Sequence, residues 1–310
     1  MYRIMLRTED LSYYVKHKVA GKEHIIKFVD GVDLEVEEGS ITVIYGDRYS
    51  GKYFLTRMLT GLIKPSKGRV FYNDMELTSL SDKELMPIRR KVQTFFMDPM
   101  HVFGFKSVGT HLKWLEEVFE SREYKWIFEE FLSKYGVNYS DSHFNPDKLS
   151  IYKLYLIYVA SGLLAEPEMI ILENPTALIE YGDRDVIHKF IMELRDRFGL
   201  TILVTTSDTA LLNSVPDYIY ILFRGRIVEE GLKDDVVENP SHPYTMKLLS
   251  DRSYHDVSDT RFADGESATL FNWSICPYSF ECEKYSEACN IDVPLFEWEH
   301  KKIRCTLYQG

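Results

Sequence analysis

No cysteine precedes Cys276 in this chain of 310 residues. A disulfide framework is therefore excluded for most of the fold. No apolar stretch reaches the roughly 18 residues that a membrane span requires; the nearest is Leu154 to Leu164. Basic residues are in deficit, with 37 Lys and Arg against 48 Asp and Glu and a formal net charge of −11. That balance argues against a nucleic-acid partner, which needs a concentrated basic face to displace counterions from phosphates. The N-terminus also lacks the basic-then-apolar layout of a signal peptide. These absences predict a cytosolic protein that acts at a membrane only by docking onto a partner that spans it. A hydrophobic content of 45% and this length suit one large α/β domain with a small appendage.

What is present reads as alternating strands and helices. Short β-type runs occupy Ile4 to Leu6 and Ile25 to Phe28, and Val32, Leu34 and Val36 alternate with acidic residues as in a half-buried strand. Ile41 to Tyr45 is a nearly continuous apolar run, as expected of a strand buried on both faces. A glycine-bearing loop follows it, and then Phe54, Leu55, Met58, Leu59 and Leu62 recur at helical spacing. A second strand-to-loop unit is expected at Met169 to Pro175, with a helix at Asp185 to Arg197 after it and a third strand at Thr201 to Thr205. This order predicts a mostly parallel sheet covered on its faces. A mostly helical stretch, about 108–165, interrupts the pattern as an inserted subdomain. Asn239-Pro240-Ser241-His242-Pro243-Tyr244 forms a turn-rich junction, followed by a polar linker near Tyr254 to Ala268 and a cysteine-bearing tail.

Gly46-Asp47-Arg48-Tyr49-Ser50-Gly51-Lys52 matches the G-x-x-x-x-G-K phosphate loop. Its glycines let successive backbone N–H groups wrap phosphate oxygens, the helix N-terminus points at them, and the lysine reaches the outer phosphates. The next position normally supplies a Ser or Thr hydroxyl to Mg²⁺; here Tyr53 and then Phe54 follow.

The segment Glu166 to Thr176, ending Leu172-Glu173-Asn174-Pro175-Thr176, resembles the extended Walker B segment of ATP-binding-cassette (ABC) ATPases. The resemblance continues through Lys67 to Val70, Leu149-Ser150 at the signature position and Phe223 to Gly231. Asn239 to Tyr244 is similar to the His-Pro-Tyr junction of the oligopeptide and dipeptide importer branch. It implies an α/β P-loop nucleotide-binding domain over 1–239 with the helical subdomain inside it, and a small C-terminal extension over 240–310. It further implies ATP and Mg²⁺ as ligands, an upstream aromatic such as Tyr13 or Tyr14 stacked on adenine, and a head-to-tail dimer with a second ABC ATPase subunit. Two transmembrane permeases, met through the surface around Met97 to Trp114, and indirectly an extracytoplasmic substrate-binding protein complete the implied complex. The chain would sit peripherally on the cytoplasmic face of the membrane, serving import of peptides or oligosaccharides.

Measured against that family, the motifs depart at nearly every catalytic position. Glu173 stands for the Walker B Asp and Asn174 for the Glu that polarises the attacking water. Thr206 stands for the switch His, Met97 for the Q-loop glutamine and Glu180 for the D-loop Asp. The signature continues as Ile151-Tyr152-Lys153, which leaves Ser150 as the surviving γ-phosphate donor. Losing a catalytic carboxylate alone typically removes about 10²- to 10⁴-fold in rate. The sequence thus predicts a site that binds ATP through Gly46, Gly51 and Lys52, holds Mg²⁺ weakly, and does not turn over at a normal rate.

The four cysteines, Cys276, Cys282, Cys289 and Cys305, all lie in the tail. Clustered thiols in a cytosolic chain point to a metal or cluster site before a covalent staple. The resemblance implies a [4Fe-4S] cluster, which needs Cys₄ thiolate ligation; Zn²⁺ is the alternative. His300 reads as a surface residue. A reading from another class is a non-transport scaffold or an iron-sulfur redox sensor built on an inactive cassette.

Overall fold

The computed structural model describes residues 3–19, 22–103, 107–250 and 275–309. The expected linker near Tyr254 to Ala268 lies outside these described residues. Contacts divide the chain into two units, Met1–Leu80 with Thr205–Gly310, and Ser81–Val204.

The first unit opens with β1 (Ile4–Val19) and β2 (Lys22–Val32), an antiparallel pair, and β3 (Glu35–Glu37), which returns to pair with the start of β1. The alternation from Val32 to Val36 predicted one strand, but the chain breaks at Asp33 and Leu34. Thr8 causes the break: its hydroxyl accepts the Leu34 N–H at 3.0 Å and donates to the Val32 carbonyl at 2.8 Å. A side chain thus takes the place of a ladder bond. β4 (Ile41–Tyr45) is buried along its whole length, and β-branched residues suit a strand packed on both faces. It runs through the loop of residues 46–51 into α1 (Lys52–Leu59). The helix stops earlier than the apolar spacing suggested, because Gly61 adopts a left-handed φ of 66° and Leu62 N–H turns back to the Arg57 carbonyl at 2.8 Å. Leu62 is consequently exposed. β5 (Lys67–Tyr72) and β6 (Met75–Glu76) complete an antiparallel sheet of order β2-β1-β5-β6.

In the second unit, α2 (Asp82–Lys91) starts from a reciprocal capping box between Ser81 and Glu84 and ends in Arg89, Arg90 and Lys91, which complement the helix dipole. β7 (Val92–Phe95) runs parallel to β8 (Met169–Glu173). Between them, the stretch expected to be helical holds α3 (Val108–Phe119) and α4 (Ile151–Ser161), separated by a π-helical turn over Ile127–Leu132 and several 3₁₀ turns. α4 is buried from Leu154 to Ser161, as expected of a helix that is apolar nearly all round. α5 (Arg184–Phe198) closes on Gly199 at φ 66°, whose N–H reaches the Arg195 carbonyl at 2.8 Å. β9 (Thr201–Thr206) then lies beside β8.

Back in the first unit follow α6 (Thr209–Ser214), β10 (Tyr218–Phe223), β11 (Arg226–Leu232), α7 (Lys233–Val237) and α8 (Pro243–Ser250). The described part of the tail ends in β12 (Phe296–Trp298) and β13 (Lys301–Ile303). The strand order within this unit is β12-β13-β11-β10-β4, with β4 and β10 parallel.

A buried ion pair fastens the tail. Lys301 Nζ lies 2.9 Å from Glu229 Oε1, with the two side chains 2% and 0% exposed. The same carboxylate accepts the N–H groups of Ser241 at 2.8 Å and His242 at 2.9 Å, and Lys301 also donates to the Asp235 and Asn239 carbonyls. Breaking one partner of a buried pair leaves the other charge uncompensated. Lys301→Ala is expected to cost about 3–5 kcal/mol, read as a lower urea midpoint at unchanged slope.

Candidate functional site

The loop after β4 is shaped by two glycines that no other residue can replace. A Cβ on Gly46 would lie 2.3 Å from the Leu222 carbonyl oxygen, and one on Gly51 would lie 2.2 Å from that of Phe28. Gly51 also has φ 99°, a left-handed conformation at the cap of α1. A third glycine supports the loop from outside. Arg224 and Gly225, both at positive φ, form the two-residue turn between β10 and β11. Gly225 N–H donates to the Ser50 carbonyl at 2.7 Å, and its own carbonyl accepts Asp30 N–H at 2.9 Å.

Within the loop, the Asp47 carboxylate accepts Tyr49 N–H at 2.8 Å, and the Ser50 hydroxyl donates to the Asp47 carbonyl at 2.8 Å. Lys52 is 5% exposed. Its ammonium donates to the carbonyls of Gly46 and Asp47, each at 2.5 Å, and to Ser50 Oγ at 3.2 Å. The cation is thus held over the concave side of the loop. Arg48 and Tyr49 are exposed. Thr206 is buried; its carbonyl accepts Gly46 N–H at 3.2 Å, and its hydroxyl accepts Asp208 N–H at 3.0 Å.

At the position of the usual Mg²⁺-binding hydroxyl, the Tyr53 ring is 52% exposed with the Arg57 guanidinium 3.4 Å from its centroid. A phenol engaged this way offers no aliphatic hydroxyl to a metal. Phe54 packs between Phe28, at 4.2 Å, and Tyr13, stacked at 5.0 Å and 22°. Tyr13 therefore belongs to an aromatic cluster on α1, while Tyr14 meets Ser66 through its backbone at 3.1 Å.

The remaining motif positions lie in the second unit. Glu173 ends β8 and is 7% exposed, and Asn174 follows at φ 45°, a left-handed conformation that asparagine tolerates better than most residues. Burial pushes the Tyr158 phenol up to about 12, and the nearby Glu173 charge adds to the shift. Met97 is 38% exposed. Ser150 is the exposed N-cap residue of α4; its carbonyl accepts Leu154 N–H at 3.0 Å, and its hydroxyl makes no capping bond. Lys153, in the expected signature segment, pairs with the largely buried Asp141 at 3.1 Å.

All four tail cysteines line one pocket, together with His242, Tyr278 and Thr306. Cys276, Cys289 and Cys305 are buried, and Cys276 N–H donates to the Cys289 carbonyl at 3.3 Å. Burial raises the Cys276 and Cys282 thiols and pushes Cys305 up to about 11. At Cys289 burial acts in the same direction, but hydrogen bonds from Thr306, at 3.2 Å, and Ser286 outweigh it and lower the thiol. Burial, helped by the Arg304 charge, pushes His242 down to about 3, so its imidazole is neutral. Among the described residues no group of three or more His, Cys, Asp or Glu is spaced as a metal site. His300 is exposed.

A glycine-bounded loop between a buried parallel strand and a helix, with a lysine over its concave face, defines a P-loop nucleotide-binding cassette. Profiles of known families agree: the ABC transporter profile matches residues 29–177, and that of the oligopeptide/dipeptide transporter C-terminal region matches residues 228–289. The chain thus carries an ABC transporter domain and the C-terminal region of the oligopeptide/dipeptide branch. It is similar to the dipeptide transport ATP-binding protein DppD of Caldanaerobacter subterraneus, at 27% identity over 330 residues covering 99% of this chain and 98% of the relative. It is also similar to DppF of Haemophilus influenzae, at 26% identity covering 94% and 93%, and to the methionine import ATP-binding protein MetN of Carboxydothermus hydrogenoformans, at 28% covering 80% and 71%. Its fold matches that of cbiO1 from Clostridium perfringens, part of an ABC transporter complex, with a TM-score of 0.64 at 23% identity over 82% of this chain and 98% of the other. Among the described residues no helix is long and apolar enough to cross a membrane.

The motifs identified the loop and the cysteines, but not what supports them. Gly225, Phe28 and Tyr244 all touch the loop from distant parts of the chain. The only sequence signal for them was the turn chemistry at Arg224-Gly225 and the His-Pro-Tyr junction, neither of which names a partner.

Proposed function

We propose that this chain is the ATP-binding subunit of an ABC importer for peptides. The observation that carries this reading is the loop Gly46 to Lys52, a preformed phosphate cradle in a chain with the oligopeptide/dipeptide C-terminal region. Three of the relatives described above are named as import or transport ATP-binding proteins, two of them for dipeptides, which supports the cargo class. The cassette spans 1–239 and the extension 240–310, with the helical subdomain at 108–165. The subunit sits at the cytoplasmic face of the membrane and docks two permeases through the surface from Met97 to Trp114, where Met97, Met100 and Trp114 are all exposed. A substrate-binding protein delivers the peptide outside. Pull-down from native membranes should recover permeases and a second cassette chain with intact Walker B and signature motifs; recovery of a soluble homodimer alone would count against transport.

In this reading the chain's own phosphate site captures nucleotide and does not hydrolyse it. Lys52 and the loop amides supply capture. Glu173 is the remaining acidic group for Mg²⁺, which Tyr53 cannot assist. Asn174 accepts no proton and the Thr206 hydroxyl is not basic enough to take one, so neither activates water as a general base. The altered signature touches the partner's composite site as well, where Ser150 is the retained donor. Lys52→Ala should reduce nucleotide occupancy. Asn174→Glu alone should restore little, since Tyr53 and Thr206 are unchanged and a glutamate there would inherit the left-handed φ of 45°. ATP turnover by the isolated subunit at about 1 per second or faster, abolished by Lys52→Ala, would overturn the non-catalytic reading.

The cysteine pocket holds a [4Fe-4S] cluster in this reading. Four thiols line one cavity and supply the soft donors such a cluster takes, but they are not spaced to hold a metal, so binding would require them to draw together and each to lose its proton. Anaerobically purified protein should be brown, and Cys289→Ser should bleach it and loosen the tail around residues 275–309. Colourless protein with stoichiometric Zn²⁺ would overturn the cluster.

A further inference from the structure

The phosphate loop receives a side-chain contact from far along the chain that nothing in its motif accounts for. Tyr244, 197 positions after Asp47, is fully buried, and its hydroxyl sits against that residue twice. It accepts the Asp47 N–H at 3.3 Å and donates to Asp47 Oδ2 at 3.2 Å. The other carboxylate oxygen accepts Tyr49 N–H at 2.8 Å. Asp47 is therefore held on both oxygens. An aspartate at this point is an anion beside the phosphate cradle, and its charge opposes a triphosphate unless it is turned aside and hydrogen-bonded.

The phenol is rigidly carried. Its ring packs 4.2 Å from Phe223, the last residue of β10, and 5.5 Å from Tyr278 in the cysteine segment. Its own N–H donates to His242 Nδ1 at 3.1 Å, and His242 N–H is bound in turn by the buried Glu229 carboxylate. The Glu229–Lys301 pair thus supports the arm that reaches the loop. A preorganised donor on a packed ring loses little entropy when it fixes its partner.

We propose that Tyr244 is a positioning residue of the phosphate loop: its hydroxyl holds Asp47 aside, so that its carboxylate does not face the triphosphate. This rests on the reading that the loop binds ATP. It makes the C-terminal region a structural part of the nucleotide site.

The test uses the full chain as wild type, Tyr244→Phe, Asp47→Ala and the double variant, with ATP as the titrant. Tyr244→Phe keeps the buried ring and removes one oxygen, so the fold should persist. It should weaken ATP binding about tenfold, the scale of one hydrogen bond to a charged group, and should have a clearly smaller effect once Asp47 is alanine, where only the backbone N–H contact is left to lose. Unchanged affinity, or an equal loss in both backgrounds, would overturn the proposal. Amide hydrogen exchange gives a readout that needs no nucleotide. Exchange across residues 46–52 should quicken in Tyr244→Phe while β4 and β10 stay protected. If the wild type binds no ATP, the ATP-binding reading fails, and exchange alone decides: quickening in the loop supports the positioning role, and identical exchange overturns it.

Discussion

Everything at the phosphate loop depends on two carbonyl oxygens that occupy the space where side chains would begin. The oxygens of Leu222 and Phe28 stand within 2.3 Å of the ideal Cβ positions at Gly46 and Gly51. Another backbone can approach the loop this closely only where the loop residue is glycine. That approach fixes the loop's curvature, and the curvature turns its carbonyls toward Lys52 and its neighbours toward the start of α1. The loop is thus moulded by β2 and β10 as much as by its own sequence. Gly225 completes the mould from the β10–β11 turn, since its N–H binds Ser50 and its carbonyl binds Asp30.

The tail depends on a different force. A short two-stranded extension has too little apolar area to hold itself in place. It is instead pinned by Lys301 in a buried charge pair with Glu229, which β11 presents beneath the Ser241-His242 junction. Burying two charges is costly unless every donor and acceptor is matched. Here the carboxylate takes two backbone N–H groups and the ammonium two carbonyls. The pair therefore specifies where the junction sits, and with it where His242, Tyr244 and the cysteine pocket sit. The tail also meets the β10–β11 turn through Arg224 and Glu281, 3.2 Å apart.

The altered chemistry and the intact scaffold are separable. Walker-type loops need glycines and a lysine to hold phosphates, and those residues are retained. The proposed lack of turnover rests on other side chains: the Tyr53 phenol, the Asn174 amide and the Thr206 hydroxyl. Tyr53 shows the cost is not to folding: its ring lies outward under the Arg57 guanidinium, where a bulky residue is accommodated without disturbing α1. Asn174 shows the same, since its left-handed φ suits an asparagine.

The strand at Ile41 to Tyr45, the loop after it, the helix at its end and the clustering of cysteines were legible because each is a local pattern: continuous burial, glycine spacing, helical period, thiol count. The end of α1 was misjudged from Leu62 because apolar spacing outlasted the helix, and only the conformation of Gly61 ended it. The break at Asp33 and Leu34 was invisible because it depends on Thr8, a hydroxyl from another strand. The tail cysteines could be counted, but their gathering around one pocket with His242 required β11 and β13 to pair. The contact of Tyr244 with Asp47 lies furthest from sequence reasoning. By itself the sequence determined a P-loop cassette, since its glycine spacing and buried strand are carried by neighbouring residues. Only the tertiary structure decided which distant groups shape and brace the loop, because a hydrogen bond across 197 positions leaves no trace in the local pattern at either end.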